Sequence, residues 1–181
     1  MQDLQQKAQA IKMVIFDVDG VLTDGSLFIG DDGQEYKAFN SRDGLGIKIL
    51  QKSGVDTSII TGRTSKVVMH RVKDLGIKHV YQGQLDKIIA YNDLLKTTGL
   101  QPDNVAYVGD DIVDLPVMTK VGLSIATQDA HPQVKQQAHW ITPSNGGHGA
   151  GRDVCEFIMQ AQGTLQTVFD NCLKGNGPGL S

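Results

Sequence analysis

Four short apolar runs, separated by amphipathic stretches, set the pattern of this 181-residue chain. The runs cover residues 13–16, 57–60, 105–108 and 123–126, and each is apolar enough to form a strand buried on both faces. The amphipathic stretches cover residues 44–52, 65–75, 87–96 and 132–137. Gly54, Gly76 and Gly99 follow three of them, as expected at helix ends. The alternation predicts an α/β fold with a Rossmann-like, mainly parallel sheet flanked by helices.

A turn-rich segment, Gly30-Asp31-Asp32-Gly33, interrupts this alternation after the first run. The segments on either side, 26–29 and 36–39, predict a β-hairpin. Residues from about 25 to 40 are therefore expected to form a small flap over the carboxyl end of the first strand. There is no internal repeat and no long linker, so residues 1–181 are interpreted as a single domain. The Gly-rich segment 174–181 is expected to be a mobile tail.

Charge and composition exclude several classes of partner. The formal net charge is -3, and no segment carries a run of Lys and Arg. Neither a nucleic acid nor an anionic membrane is therefore expected as a partner. The first ten residues are polar and Gln-rich, unlike a signal peptide or a membrane span, so the protein is expected to be cytoplasmic. Cys155 and Cys172 lack the spacing of a metal site and are interpreted as buried thiols.

Acidic residues follow two of the predicted strands. In open α/β sheets, ligands bind at the carboxyl ends of the strands, so the residues just after each strand form the candidate site. These residues are Asp17 and Asp19 after the first run, Thr61 after the second, Lys87 after the short run 79–81, and Asp110 and Asp111 after residues 105–108.

This set of residues indicates phosphoryl chemistry. Crowded carboxylates raise one another's pKa, and a hard cation such as Mg²⁺ relieves that repulsion. An ionised Asp17 can attack phosphorus and form an acyl phosphate. Asp19 can protonate the leaving alkoxide and later accept a proton from water. Thr61, backbone amides and Lys87 can hold the remaining phosphoryl oxygens. The residues predict a Mg²⁺-dependent phosphatase.

Four motifs resemble those of the haloacid dehalogenase-like (HAD) superfamily. Residues 17–24, Asp-Val-Asp-Gly-Val-Leu-Thr-Asp, are similar to its first motif, while Thr61, Lys87 and residues 109–114 match the next three in order. The transport ATPases of the superfamily carry Thr in place of Asp19, and its dehalogenases lack this acid. The resemblance therefore implies a phosphatase or a phosphomutase, and we expect a phosphatase. About forty residues separate Asp17 from Thr61, and fewer than thirty separate each later pair of motifs. No cap domain fits, so the site either accepts bulky substrates or is closed by another subunit, and a homo-oligomer is expected.

Within that superfamily, residues 39–48, 61–77 and 146–152 resemble the 3-deoxy-D-manno-octulosonate 8-phosphate (Kdo 8-phosphate) phosphatases, and the likeness extends over about residues 11–163. Those enzymes are uncapped homotetramers that form Kdo and phosphate for the inner core of lipopolysaccharide. The resemblance implies a small phosphosugar-acid substrate, and Mg²⁺ on Asp17, the backbone carbonyl of Asp19, and Asp110. It implies substrate contacts from Asp19, Asn40, Ser41, Arg42, Asp43, Gly44, Lys48, Arg63, Arg71 and Lys87.

The chain departs from this family at Thr61, where Ser is commoner, and at Ser41, where a β-branched residue is commoner. Several roles stay open. Asp111 and Asp114 either bind the metal or support its ligands, Lys48 and Arg71 could lie on solvated helix faces, and His148 is interpreted as solvent-facing. Two other functions compete: a phosphatase for a related nonulosonate 9-phosphate or another phosphosugar, and a non-catalytic oligomeric binding module.

Overall fold

The computed structural model describes residues 2–178 of the chain, and the side chains from residue 3 onward. Its strands are β1 (Met13–Phe16), β2 (Phe28–Ile29), β3 (Glu35–Tyr36), β4 (Asp56–Ile60), β5 (His79–Tyr81), β6 (Val105–Gly109), β7 (Leu123–Ala126) and β8 (Trp140–Ile141). Six of them form one sheet in the order β5-β4-β1-β6-β7-β8. Every neighbouring pair in that sheet is parallel, which confirms the predicted parallel α/β fold.

Helices cover both faces of this sheet. They are α1 (Gln2–Gln9), α2 (Ser41–Lys52), α3 (Lys66–Leu75), α4 (Lys87–Thr98), α5 (Leu115–Met118), α6 (Pro132–Gln137), α7 (Ala150–Ala161) and α8 (Leu165–Leu173). Buried residues of α1, α2, α3 and α7 share one hydrophobic cluster, and those of α4, α5 and α6 share another. The sheet therefore separates two cores, as in other α/β folds with helices on both sides.

Strand β1 lies at the centre of the sheet between β4 and β6. Val14 and Phe16 contribute to the first cluster, whereas Met13 and Ile15 contribute to the second, because successive side chains of a strand point to opposite faces. Burial on both faces explains why strand β1 is apolar at every position. Because β1, β4 and β6 are parallel neighbours, the loops that follow them meet at one edge of the sheet.

The hairpin forms a separate antiparallel pair in which Phe28 lies opposite Tyr36 and Ile29 opposite Glu35. The Gly33 amide donates to the Gly30 carbonyl, and the Gly30 amide donates to that of Gln34. This tight turn starts the second strand at Glu35, one residue earlier than predicted. Among the described residues, this hairpin, helices α2, α3 and α4 and a short 3₁₀ turn at Pro102–Asn104 are the elements that connect β1, β4, β5 and β6, so no cap domain covers the sheet edge.

Helix α2 begins three residues before the predicted start, at Ser41. The side chain of Asn40 accepts a hydrogen bond from the Arg42 amide, and such a cap satisfies a donor that the first helical turn leaves free. Residues 40–44 are therefore a helix cap and the first helical turn.

The C-terminal region differs in part from the expectation. Cys155 of α7 is buried, but Cys172 of α8 is exposed, so the buried interpretation was wrong for Cys172. Of the predicted mobile tail, residues 174–178 form turns and bends after α8, and residues 179–181 lie outside the described part of the chain. No helix within residues 2–178 combines the length and the apolar character needed to cross a bilayer.

Candidate active site

The loop after β1 is pressed against the loop after β6. Asp17 is buried, with its amide bonded to the Val108 carbonyl of β6. Gly20 has a φ of 85°, and a Cβ placed on it would lie 2.0 Å from Oδ2 of Asp110. Only glycine allows both this left-handed backbone and this close approach. The glycine of the first motif thus lets the two acidic loops share one site.

Three carboxylates meet at this contact. Asp17, Asp110 and Asp114 each offer an oxygen within 4.8 Å of the others. Oδ1 of Asp110 is buried and finds no hydrogen-bond partner among the described residues. Burial, followed by repulsion from Asp114 and Asp17, raises the pKa of Asp110 to about 8. A buried carboxylate oxygen without a donor, beside a second carboxylate, is a suitable ligand for a hard divalent cation. Asp17 and Asp110 therefore fit Mg²⁺.

Asp114 is already saturated by donors. It accepts hydrogen bonds from Nζ of Lys87 at 2.6 Å, the Tyr107 hydroxyl at 2.7 Å, and the amides of Asp110 and Asp111 at 3.0 and 3.1 Å. Four donors occupy most of the acceptor sites of a carboxylate. These contacts therefore indicate that Asp114 supports the loop of Asp110 and does not bind the metal.

Lys87 connects the nucleophile candidate to this support. Its side chain is 1% exposed, and its nitrogen lies 2.8 Å from Oδ2 of Asp17. Burial alone would lower the pKa of Lys87, but the carboxylates of Asp17 and Asp114 outweigh burial and raise it. Burial raises the pKa of Asp17 to about 6, because it exceeds the opposing effect of Lys87. The site therefore holds a permanent cation beside a carboxylate that is ionised near neutral pH.

A cavity of about 300 Å³ opens above these residues. Its volume lies at the lower end of the range for ligand pockets. The predicted residues that it brings together are Asp17, Asp19, Thr61, Arg63, Lys87 and Asp110, and Gly25, Gly62, Asp111 and Val113 complete the lining. Thr61 is buried at the end of β4, where its amide donates to the Tyr81 carbonyl. All four motifs thus contribute to one cavity.

The remaining predicted substrate residues lie elsewhere. Asn40, Asp43, Gly44 and Arg71 border a separate cavity of about 10 Å³. Arg71 donates to the Asn40 carbonyl at 3.2 Å and pairs with Asp74 at 2.9 Å. A Cβ on Gly44 would lie 2.2 Å from Nη2 of Arg71, so glycine makes room for the guanidinium. These side chains support one another beside α2, and their contact with substrate remains a prediction.

Three of the predicted positions, Arg42, Asp43 and Lys48, make contacts within the chain. Oδ1 of Asp43 accepts from the Arg152 amide at the start of α7. Arg42 donates to the His148 carbonyl, while Ser41 is exposed. Nζ of Lys48 in α2 lies 3.7 Å from Oδ1 of Asp74 in α3, and both side chains are exposed to solvent. Their roles toward substrate also stay predictions.

The sequence interpretation did not include Glu35 and Lys37 of the hairpin. Lys37 forms an ion pair with Asp19 and lies 3.2 Å from Glu35. Arg63 approaches the same two carboxylates, at 3.0 Å from Glu35 and 3.8 Å from Asp19. Glu35 begins β3 and Lys37 directly follows that strand, so the Glu-x-Lys pattern in the predicted flap was the available signal.

The glycine-rich segment before α7 packs on the first motif. A Cβ on Gly146 would lie 1.9 Å from the Gly20 carbonyl oxygen, and one on Gly147 would lie 2.4 Å from the Asp24 amide. The glycines thus permit close backbone contact between this segment and the chain's own first-motif loop. His148 is exposed, as interpreted.

Comparison with known proteins agrees with this geometry. The sequence model of the haloacid dehalogenase-like hydrolase family matches residues 77–152. The 3-deoxy-D-manno-octulosonate 8-phosphate phosphatase KdsC of Yersinia pestis is 51% identical over 164 residues, which span 91% of this chain and 88% of that protein. The KdsC of Escherichia coli K12 is 52% identical over 90% of this chain and 87% of its own length.

Solved structures give the same result. A Kdo 8-phosphate phosphatase from Moraxella catarrhalis, crystallised with magnesium, phosphate and KDO, superposes with a TM-score of 0.93 at 41% identity. That match covers 95% of this chain and 99% of the other. The Yersinia pestis structure gives a TM-score of 0.89 over 91% of this chain and 89% of its own. The chain belongs to the 3-deoxy-D-manno-octulosonate 8-phosphate phosphatase family of the HAD-like hydrolases.

Proposed function

We propose that this phosphatase hydrolyses Kdo 8-phosphate to Kdo and inorganic phosphate through an aspartyl-phosphate on Asp17, a reaction of lipopolysaccharide inner-core synthesis. The observation that carries the proposal is the position of Asp17 in the cavity lining, beside the Lys87 ammonium and near Oδ1 of Asp110, which has no hydrogen-bond partner among the described residues. A nucleophile between a fixed cation and a divalent-metal site is suited to attack an anionic phosphate.

In the first half-reaction, a carboxylate oxygen of Asp17 attacks phosphorus while the bond between phosphorus and the sugar oxygen breaks. The carboxylic acid of Asp19 gives its proton to the departing oxygen, so the sugar leaves as an alcohol. Lys87 stays protonated and lies beside the phosphoryl group. Asp17, Asp110 and the carbonyl of Asp19 would hold Mg²⁺, which would offset the negative charge of the phosphoryl oxygens.

In the second half-reaction, Asp19 is a carboxylate and accepts a proton from water as that water attacks phosphorus. The bond between Asp17 and phosphorus breaks, and inorganic phosphate leaves. Thr61 and Lys87 hold the phosphoryl oxygens in both steps, since a hydroxyl and an ammonium can each donate to them. Asp19 returns to its acid form for the next cycle.

The sugar-acid part of the substrate extends toward the rim of the cavity. Arg63 lies there with 47% of its side chain exposed, and a guanidinium fork binds carboxylate oxygens well. The Moraxella catarrhalis relative was crystallised with KDO and phosphate, which supports a substrate of this class. Asn40, Ser41, Arg42, Asp43, Gly44, Lys48 and Arg71 remain proposed substrate contacts on family resemblance.

We also propose that the chain works as a single domain in a homotetramer. Leu27, Phe28, Ile29 and Tyr36 of the hairpin are all at least half exposed, and an apolar group of this kind is typical of a protein interface. The hairpin borders the cavity through Gly25. Burial of the hairpin against another subunit would exclude water from the site. The free thiols of Cys155 and Cys172 are compatible with a cytoplasmic location.

A substrate panel tests the main proposal. Phosphate release would be measured with Mg²⁺ on Kdo 8-phosphate, a nonulosonate 9-phosphate and hexose 6-phosphates, with EDTA as the control. We expect kcat/KM to be highest for Kdo 8-phosphate. Equal values for all esters would remove the specific assignment, and a preference for the nine-carbon ester would favour the alternative phosphatase. Mg²⁺ binding without turnover of any ester would indicate a non-catalytic module.

A further inference from the structure

The acid/base residue Asp19 is held by a lysine that the mechanism above does not use. We propose that Lys37 is a positioning residue that orients the Asp19 carboxylate through their ion pair and thereby assists proton transfer to the sugar oxygen. This inference rests on the proposed function, because it concerns the proton that Asp19 exchanges during ester cleavage.

Lys37 is much more deeply buried than Arg63, the other cation near Asp19. The Lys37 side chain is 1% exposed, whereas that of Arg63 is 47% exposed. Arg63 also lies farther away, at 3.8 Å from the Asp19 carboxylate. Exposed ion pairs are screened by water and contribute little, while a buried charge interacts strongly with its partner. Lys37 is therefore the main constraint on the orientation of Asp19.

Glu35 keeps Lys37 in place. Its carboxylate lies 3.2 Å from Nζ of Lys37 and 3.0 Å from the Arg63 guanidinium, so two cations and two carboxylates alternate around one small cluster. Each charge has an oppositely charged neighbour, which offsets the cost of removing Lys37 from water. Because Glu35 and Lys37 belong to the hairpin, the hairpin is the element that fixes the orientation of Asp19.

Lys37 acts through Asp19 and not on the substrate. The described residues that line the cavity include Asp19 and Arg63 but not Lys37. When protonated Asp19 donates to the departing alkoxide, its O–H bond breaks, the sugar oxygen gains the proton, and a carboxylate forms beside the Lys37 ammonium. Lys37 keeps all three of its protons, and in the second half-reaction water returns a proton to Asp19.

Leaving-group dependence distinguishes this role from a structural one. Kdo 8-phosphate releases an alkoxide that needs a proton, whereas p-nitrophenyl phosphate releases a phenolate that does not. We expect Lys37→Met to lower kcat/KM on Kdo 8-phosphate about 100-fold, within the range for loss of acid catalysis. The value for p-nitrophenyl phosphate should change less than about fivefold. Lys37→Arg should restore most of the loss, and the exposed control Lys120→Met should match the unmodified protein. Equal losses on both esters would overturn the proposal.

A double-mutant cycle gives a second, independent measurement. If Lys37 works only through Asp19, Lys37→Met should have no further effect on kcat/KM in an Asp19→Asn background. Additive effects would overturn the proposal.

Two substitutions keep both experiments informative. If Lys37→Met lowers the melting temperature by more than a few degrees, Lys37→Gln replaces it, because glutamine keeps a hydrogen-bond donor but loses the charge. If the unmodified protein prefers another alkyl phosphate, that ester takes the place of Kdo 8-phosphate. The substrate assignment then fails while the test of Lys37 stands.

Discussion

The ammonium nitrogen of Lys87 lies 2.8 Å from a carboxylate oxygen of Asp17, with both side chains almost completely buried. One protonated amine therefore favours the ionised form of Asp17, the proposed nucleophile, in a place where burial disfavours its charge. The second contact of Lys87, to Asp114, connects this pair to the loop that carries Asp110. Asp17, Lys87 and the loop that carries Asp110 are thus parts of one network. Substitutions at these residues should differ in their effects on activity and on stability.

Replacement of Asp17 removes the nucleophile. Asp17→Asn should lower kcat on the order of 10⁴-fold, because an amide does not form the acyl phosphate. The melting temperature should stay within a few degrees of the unmodified value, since asparagine keeps the shape of the side chain. Phosphate release and thermal unfolding measure the two effects. Asp170→Asn, at a site on α8, is the control, and retained turnover in Asp17→Asn would refute the assignment.

Removal of the Lys87 charge should affect both activity and stability. Lys87→Met leaves the buried carboxylates of Asp17 and Asp114 without their common cation. We expect a loss of about 3 kcal/mol in the free energy of unfolding, typical of breaking a buried ion pair, and a fall in kcat of at least about 100-fold. Denaturant unfolding and phosphate release are the measurements. Lys96→Met, at an exposed position of the same helix, should change neither, and an equally stable Lys87→Met protein would contradict the network.

The stabilising effect of Mg²⁺ should increase with pH. Folding raises the pKa of Asp17 to about 6 and that of Asp110 to about 8, from an ordinary value of 3.8. Without metal, the folded state holds these protons more tightly than the unfolded chain, so stability is lost as pH rises from about 4 to 8. Mg²⁺ must displace the same protons, so its binding strengthens over that range. The shift in melting temperature on adding Mg²⁺ should be several degrees larger at pH 8 than at pH 5.5.

Asp110→Asn tests the same electrostatic argument. This change removes one of the crowded charges, so at pH 8 the metal-free variant should be more stable than the unmodified protein, by about 1 kcal/mol or more. The variant should also lose the stabilisation by Mg²⁺ and nearly all phosphatase activity. Thermal unfolding with and without EDTA measures both parts. A metal-free variant that is less stable at pH 8 would show that the contacts of Asp110 outweigh the repulsion between the carboxylates.

Two buried tyrosines, Tyr107 and Tyr91, provide a test substitution and its matched control. The Tyr107 hydroxyl donates to Asp114, whereas the buried Tyr91 hydroxyl has no hydrogen-bond partner within residues 2–178. Tyr107→Phe should destabilise the protein by about 1 kcal/mol and leave most activity, because three donors to Asp114 remain. Tyr91→Phe should be neutral or slightly stabilising, since it removes an unsatisfied polar group. Equal effects in the two variants, measured by denaturant unfolding, would argue against the Tyr107 contact.

Local patterns in the sequence were sufficient to predict the four inner strands of the sheet and the main group of site residues. Four apolar runs predicted four of the six sheet strands, because a central parallel strand must be apolar on both faces. Since the carboxyl ends of neighbouring parallel strands share one edge, the residues after those strands could be grouped from their positions in the chain. Asp17, Thr61, Lys87 and Asp110 line one cavity for that reason.

Only the tertiary structure decided which charges pair. Lys37 reaches Asp19 because of where the hairpin folds over the sheet edge, and Asp114 is saturated because Lys87, Tyr107 and a backbone turn converge on it. Arg71, in contrast, lies beside α2 and away from the cavity. The sequence by itself determined the strand pattern and the residue types at the site, since both follow from short-range periodicity. The orientation of each side chain depends on contacts between residues far apart in the chain, and no local pattern encodes these.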